Sequence, residues 1–525
     1  MDLGNIRAFA VALWIAAGGI LPVCPQATPS VYEKAASFLQ HGDTVAAIRL
    51  LEQTLVKSPR DVKARTLMGM ALSAAGRLDE AGRQFSRALR INPRFAPALK
   101  NLAVNEMALN QVPKARLLFE QLLEMTPGDP VAHLALADID FAANDYGSAV
   151  SHFRKSGDLY LHDPRNILQF AQACARTKQA AQAVEVLSHL PKEADGGAHY
   201  EAGTLLATLA DYPGAAREFE RAKDGHADPY ALGYNLTLAY VKGNDYPAAI
   251  RTAESLVAQG YRKAELYNLL AQAYENSGRT REAYGALRTA TQIDPADETN
   301  YIDLVTLCLN HKNYDLALEI ADIGIGRLPS SDRLQVQRGV VFAMTEKFGD
   351  ARGAFEAALK LAPSKGLPYV ALGLVLMQTD HVADAIEVLR RRVRAAADDY
   401  IALWFLGEAL NRSGATLGTP EMQEALAALR NSVRLNPEIA QSQMLLAKLL
   451  ARGGELDGAI AHLNRALQLE PDNVSAMYQL AQVLSRKGES ARARELFAKV
   501  GKAKQEDREQ FTTRGLAQIM REGAK

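Results

Sequence analysis

The sequence predicts an all-α fold, a solenoid of stacked antiparallel helix pairs, and three columns of residues carry that prediction. The first is alanine, at Ala47, Ala81, Ala115, Ala149, Ala183, Ala215, Ala249, Ala283, Ala317, Ala351, Ala385, Ala425, Ala459 and Ala493; of the thirteen intervals eleven are 34 residues, one is 32 and one is 40. The second column, four residues later, is apolar or small throughout, from Leu51, Phe85, Phe119 and Phe153 to Leu463 and Phe497. The third is proline, at Pro59, Pro93, Pro127, Pro295, Pro329, Pro363, Pro437 and Pro471, where one unit must stop and the next begin. A fixed period of this length is the mark of a repeat array, in which no unit buries its apolar face alone and stacking is obligatory.

In chain order, the first element is residues 1–27. Ala8 to Leu21 is a charge-free run of 14 residues, short of the ~20 that a spanning helix needs, and Pro22 ends it. This pattern predicts a secretory signal peptide. Three outcomes stay open: cleavage near Ala27, lipid attachment at Cys24 (Leu21-Pro22-Val23-Cys24 departs from a bacterial lipoprotein box at Val23), or an uncleaved anchor. Each places the remainder outside the cytoplasm, periplasmic or secreted, with the membrane reached only through the N-terminus.

The repeats follow over residues 28–507, about fourteen of them. In the second, Val62 to Phe95, Asp61 caps the first helix and Gly76-Arg77 breaks the chain. Asp79 and Glu80 favour the start of the second helix through its dipole, and Ala81, Phe85, Ala88 and Leu89 make its buried stripe. A small residue twelve before the alanine (Gly69, Ala103, Ala137, Ala171, Gly203, Gly339, Gly373) lets two helix backbones approach. Thr237 and Val305 depart from that column, residues 163–195 are two residues short, and an extra segment spans about Gly414 to Pro420. Residues 508–525 close the chain with a capping helix and tail, Phe511, Leu516, Ile519 and Met520 forming its apolar side.

These columns resemble the tetratricopeptide repeat (TPR) family. The resemblance implies a TPR-type α-solenoid, a right-handed superhelix, in which the first helices of successive pairs line a groove that receives protein or peptide partners. Two binding schemes of that family do not transfer. Lys100-Asn101 is followed by Leu134-Ala135, so no carboxylate clamp assembles, and only Asn101 and Asn235 occupy the position of an asparagine ladder.

Residues that could carry chemistry are sparse. Lys plus Arg is 60 and Asp plus Glu is 60, so the net charge is zero, which argues against nucleic acid as a partner. The ten histidines show no metal-ligand spacing and are expected in turns or on the surface. No phosphate loop and no nucleophile elbow occurs. Cys174 and Cys308 share one apolar column and are expected as small buried hydrophobes. Neither catalysis, cofactor nor metal is expected.

The candidate site is a stripe on the first helices at steps i, i+3, i+7 and i+10. It is polar in the eighth repeat (Glu265, Asn268, Gln272, Glu275) and largely apolar from the ninth to the twelfth, where Ile302, Val336, Val340, Val370, Leu374, Met377 and Trp404 are the candidate partner-binding residues. Core burial is the competing account of an apolar stripe at helical spacing. The function expected is a non-catalytic interaction scaffold of the bacterial cell envelope. The alternatives are an accessory protein of outer-membrane or polysaccharide export, and a TPR-containing glycosyltransferase, for which no residues outside the repeats supply a catalytic domain.

Overall fold

The computed structural model describes residues 30–225 and 228–503; the segments read above as export signal and terminal cap lie outside the described residues. Two compact units divide the chain, Met1–Tyr261 and Arg262–Lys525. Among the described residues each unit contains seven helix pairs and no strand.

In the first unit the pairs are Val31–Gln40 with Thr44–Lys57, Val62–Ala74 with Leu78–Ile91, Ala96–Ala108 with Val112–Met125, Pro130–Ala142 with Tyr146–Lys155, Pro164–Arg176 with Ala180–Leu187, Gly196–Thr208 with Tyr212–Arg221, and Pro229–Lys242 with Tyr246–Ala258. In the second they are Ala264–Asn276 with Thr280–Ile293, Glu298–Asn310 with Tyr314–Arg327, Asp332–Met344 with Phe348–Leu361, Gly366–Gln378 with Val382–Ala395, Tyr400–Arg412 with Pro420–Leu435, Ala440–Arg452 with Leu456–Leu469, and Val474–Lys487 with 490–503. They are numbered pairs 1 to 14 below. The short repeat is pair 5, whose second helix has only 8 residues, and the extra segment is the loop before Pro420–Leu435 in pair 12.

Aspartate starts many of these helices. The Asp61, Asp129, Asp195 and Asp399 carboxylates each accept a bond from a backbone N–H of the first turn, which otherwise has no partner. Between the two helices of a pair, one residue takes a left-handed backbone. It is Gly at Gly42, Gly76, Gly278 and Gly454, but Asn at Asn110, Asn144 and Asn244, and even Lys178, Ala210 and Glu346 elsewhere.

The columns form the core. The alanines from Ala47 to Ala459 are sealed from solvent, and Phe85, Phe119, Phe153, Phe219 and Phe355 are the largest fully buried side chains. The small column exists because it faces those rings. A Cβ on Gly69 would lie 2.4 Å from Phe85, on Gly203 2.7 Å from Phe219, and on Gly339 2.5 Å from Phe355. The two departures obey the same rule with the roles exchanged. Where the first helix carries the buried Thr237 or Val305, the facing position of the second helix has shrunk to Ala253 or Ala321. Volume is conserved across the seam, so the stack continues. Phe497 alone in that column is exposed, set edge-on against Tyr478 at 5.8 Å.

Within each unit most first helices touch the first helix of the next pair, while the second helices lodge on the following first helix and stand apart from one another. A row that touches on one side and is spread on the other curves toward the touching side, so first helices line each unit's inner face.

Candidate functional site

In the second unit the inner face of pairs 10 to 12 separates the candidate residues into two sets. Ile302, Val336, Val370 and Met377 are buried and belong to the core between helices. Leu374 is 43% exposed, and Val340 and Trp404 are half-buried. The reason is angular. At about 100° per residue the i+3 and i+10 positions turn about 60–80° toward the neighbouring first helix, whereas i, i+4, i+7 and i+11 stay together facing out; Trp404, at i+3, is the exception, its large indole only half covered. The outward set therefore includes residues that the sequence stripe passed over: Met344, 56% exposed, and the half-buried Ala371 and Phe405, together with Leu367, 65% exposed, and Ile401. Trp404 stacks on Phe405 with ring centroids 4.5 Å apart, which fixes the indole on the surface.

Charge frames this apolar band. On one side stand Glu298 with Arg333 at 3.0 Å and Asp332 with Lys365 at 2.8 Å; on the other stand Glu408 with Arg412 at 2.8 Å and Asn411 with Arg452 at 3.0 Å. Burial raises the Asp303 carboxyl above its ordinary range on the neighbouring first helix. In pair 8 the polar stripe is spent on the fold itself: Asn268 donates to Asn300 at 2.8 Å, and Glu275 meets His311 at 2.7 Å. An apolar field with a polar rim is the anatomy of a protein-binding surface.

The first unit differs. Val131 and Leu134 of pair 4 are buried, Leu159 of the short helix Gly157–His162 packing on Val131. Asp138 beside them has its Oδ1 sealed from solvent without a hydrogen-bond partner, and burial pushes its carboxyl up to about 7 against the opposing pull of Arg165. The residues of the two family schemes are committed elsewhere. Lys100 is paired with Asp129 at 2.9 Å, Asn101 donates to the Pro97 carbonyl, and Asn235 donates to the Tyr200 hydroxyl.

Histidine corrects the sequence reading. His133 and His199 are buried, not on the surface. His133 reaches the Pro127 carbonyl through Nε2 at 2.9 Å and His152 through Nδ1 at 2.9 Å. His199 meets the Lys192 carbonyl and, at 2.7 Å, Glu218. Arg65 with Gln84 and Gln443 with His462 repeat the arrangement, on the carbonyls of Pro59 and Pro437. In each case one first-helix side chain ties down the turn six or seven residues before it and a second-helix residue nineteen after it. These are structural ties, and burial lowers the His152 and His462 imidazoles below their ordinary value.

Among the described residues no cluster of three or more His, Cys, Asp or Glu could hold a metal ion, and no helix is long and apolar enough to cross a membrane. Cys174 and Cys308 are buried as expected, and burial holds both thiols up at about 11, far from a reactive thiolate.

Family models of helical repeats match this architecture. Tetratricopeptide repeat models match residues 38–103, 74–139 and 450–516 in one form and 234–298, 370–416 and 421–473 in another. A model described as anaphase-promoting complex, cyclosome, subunit 3 matches residues 108–190. Protein CTR9 homolog of Arabidopsis thaliana is 22% identical over 289 residues, 52% of this chain, and the chain spans only 26% of that relative's length. Yeast Tom70 is 16% identical, with 82% of this chain and 96% of that chain covered and a TM-score of 0.39. The Cut9 and Hcn1 assembly of the APC/C is 12% identical, covering 86% and 96%, at 0.36. MamA of Desulfovibrio magneticus is 22% identical, covering 34% and 96%, at 0.29.

Proposed function

Because the chain belongs to the tetratricopeptide repeat family, we propose that it is a non-catalytic interaction scaffold that seats segments of partner proteins on the inner face of its second unit. One observation carries the reading. Pairs 10 to 12 bury Val336, Val370 and Met377, which suffices for stacking, and still leave Met344, Leu367 and Leu374 in water beside Trp404. Apolar surface that the fold does not use marks a place where something else covers it. A partner segment with apolar residues at helical or extended spacing fits the field, and its polar ends meet the framing charges.

The test is affinity capture by the full chain and by a variant carrying Val340→Ser, Leu374→Ser and Trp404→Ser. A defined partner held by the first and lost by the second, with helix content equal, supports the site. Equal capture by both removes it.

The narrower reading places this scaffold in a bacterial cell envelope, exported and in the service of assembly or secretion. The charge-free run Ala8–Leu21 supports it. Mass spectrometry of the mature N-terminus, with cell fractionation, tests it. Cleavage near Ala27 or acylation at Cys24 agrees with export, and an intact Met1 in the cytoplasmic fraction contradicts it.

A further inference from the structure

The outer ridge of pair 2 carries three arginines that the fold does not use. In Leu78–Ile91 the side chains of Ala81, Phe85 and Ala88 face the core, and Arg83, Arg87 and Arg90 stand opposite at steps of i, i+4 and i+7, within about 60° of one another. All three are exposed, and among the described residues none has an ion pair or hydrogen bond. Arg77 on the same helix is held by Glu80 at 2.7 Å. Asp79 and Glu80 sit at the first turn, where Glu80 pairs with Arg77 and feels the charge of Arg83 one turn on, while Arg87 and Arg90 lie farther along the helix. Arg49, Lys57, Arg60 and Arg94 are exposed close by, and residues 44–95 hold ten Lys or Arg against four Asp or Glu, a net of +6 in a chain whose total is zero. Like charges at i and i+4 destabilise a helix, so the stack gains nothing from this ridge.

The neighbouring ridges add aliphatic tips. Val45 and Val56 are 67% and 81% exposed on the outer side of Thr44–Lys57, and Leu117 is 66% exposed on the outer side of Val112–Met125. Glu120 and Glu124 share the pair 3 ridge, Glu120 lying 3.8 Å from Arg116, so the basic field belongs to pairs 1 and 2, where Glu52 is the one acidic residue of the Thr44–Lys57 helix.

We propose that this outer ridge docks on an anionic phospholipid surface, its guanidinium groups on lipid phosphates and its aliphatic tips between the headgroups. Arginine presents a planar fork that matches phosphate oxygens two at a time. Separate aliphatic tips need no preformed pocket when the layer they enter is fluid, whereas a nucleic acid leaves them idle. The length of chain before the first pair agrees. Only residues 22–29 lie between the apolar run ending at Leu21 and the first described residue, Ser30. Eight residues span at most about 28 Å, so a membrane that holds the run lies within that distance of Ser30, at the start of pair 1. An apolar segment with a basic patch is the two-signal arrangement that makes peripheral attachment stable. The inference concerns the outer face and stands apart from the partner site on the inner one.

The experiment uses the full chain and its Arg83→Gln, Arg87→Gln, Arg90→Gln variant, which keeps a helix-forming side chain at each exposed position. Cosedimentation is measured with vesicles of phosphatidylcholine and with vesicles containing phosphatidylglycerol. The apolar N-terminal run contributes equally to both, so the ratio of the two affinities isolates the ridge. The wild type prefers the anionic vesicles, loses the preference in high salt, and loses on the order of a hundredfold of it in the variant, about fivefold per arginine. No preference in the wild type, or an undiminished one in the variant, overturns the proposal. So does a wild type that ignores both vesicles and binds poly-glutamate or RNA, which assigns the ridge to an acidic macromolecule instead.

Discussion

Gly69→Ala destabilises the protein when Phe85 is present and stabilises it when Phe85 is leucine. In the native stack a Cβ on Gly69 would lie 2.4, 2.7 and 2.8 Å from three ring carbons of Phe85. Carbon contacts settle at about 3.5–4.0 Å, so the ring must retreat by about 1 Å. It is 1% exposed and closely packed, so the helix Leu78–Ile91 has to move with it. Overpacking of this kind costs about 1–3 kcal/mol. Alanine returns up to about 1 kcal/mol as the better helix former. The net falls near 1 kcal/mol of destabilisation, at the low end because pairs 3 and 4 hold Ala103 with Phe119 and Ala137 with Phe153 and are well packed. Phe85→Leu alone removes apolar contact and costs about 1 kcal/mol. In that background the opposing group is a flexible leucine, which packs on alanine at this seam in the buried pairs Ala447 with Leu463 and Ala271 with Leu287, so most of the strain is relieved and the helix gain of Gly69→Ala dominates. The coupling energy is then about 1–2 kcal/mol, with a change of sign. Repeat arrays open locally, so hydrogen exchange over residues 62–91 reports the effect more directly than a global melt. Additivity within about 0.4 kcal/mol across the cycle refutes the claim that this glycine is set by this ring.

Three further outcomes follow from the same structure. Replacing the buried Val336, Val370 and Met377 singly with alanine should cost about 1–4 kcal/mol each in local stability, whereas Val340→Ser and Leu374→Ser should fall within about 0.5–1 kcal/mol; hydrogen exchange over 332–378 distinguishes them. Asp138→Asn should stabilise the protein at pH 8 and do so by a clearly smaller amount at pH 5. Burial raises this carboxyl from 3.8 to about 7, so its contribution is intact below about pH 3.8, falls progressively as the unfolded chain ionises, and is lost once pH has risen through 7. The full shift corresponds to about 4 kcal/mol, and partial solvent access of the side chain reduces the expected gain to about 1–2 kcal/mol, read from unfolding midpoints at the two pH values. Ala210→Gly or Glu346→Gly should stabilise by about 1 kcal/mol, because each holds a left-handed backbone at which a Cβ is strained; an unchanged melt would argue against that turn geometry.

The helix pairs were legible in sequence because their cause repeats. A buried alanine and a facing ring recur every 34 residues, and each must match the same neighbour. The exchange of volume at Thr237 with Ala253 and at Val305 with Ala321 was also written there, though it reads as a departure until the two columns are seen to face one another. The turns were less legible: Gly76 announces a left-handed residue, but Lys178, Ala210 and Glu346 carry no such sign, because the helices on either side impose the geometry. The ties made by His133 and His199 were hidden for another reason. Their partners are six or seven residues before and nineteen after, a spacing that means nothing until two helices are folded back on each other. The inner face was half legible. A stripe at i+3 and i+10 names one side of the helix, and only the position of the adjacent first helix decides that Val370 and Met377 are core while Leu367 and Leu374 meet solvent.

Site-specific photocrosslinking in the native cell tests the central claim most directly. A photoreactive residue is placed in turn at Leu374, at Val340, and at Leu417 in the exposed loop of pair 12 as a control. The account predicts that Leu374 and Val340 yield adducts with one defined protein, and that the Trp404→Ser background weakens both. Adducts of equal yield from Leu417, or none from the inner face while the folded protein is abundant, would contradict it.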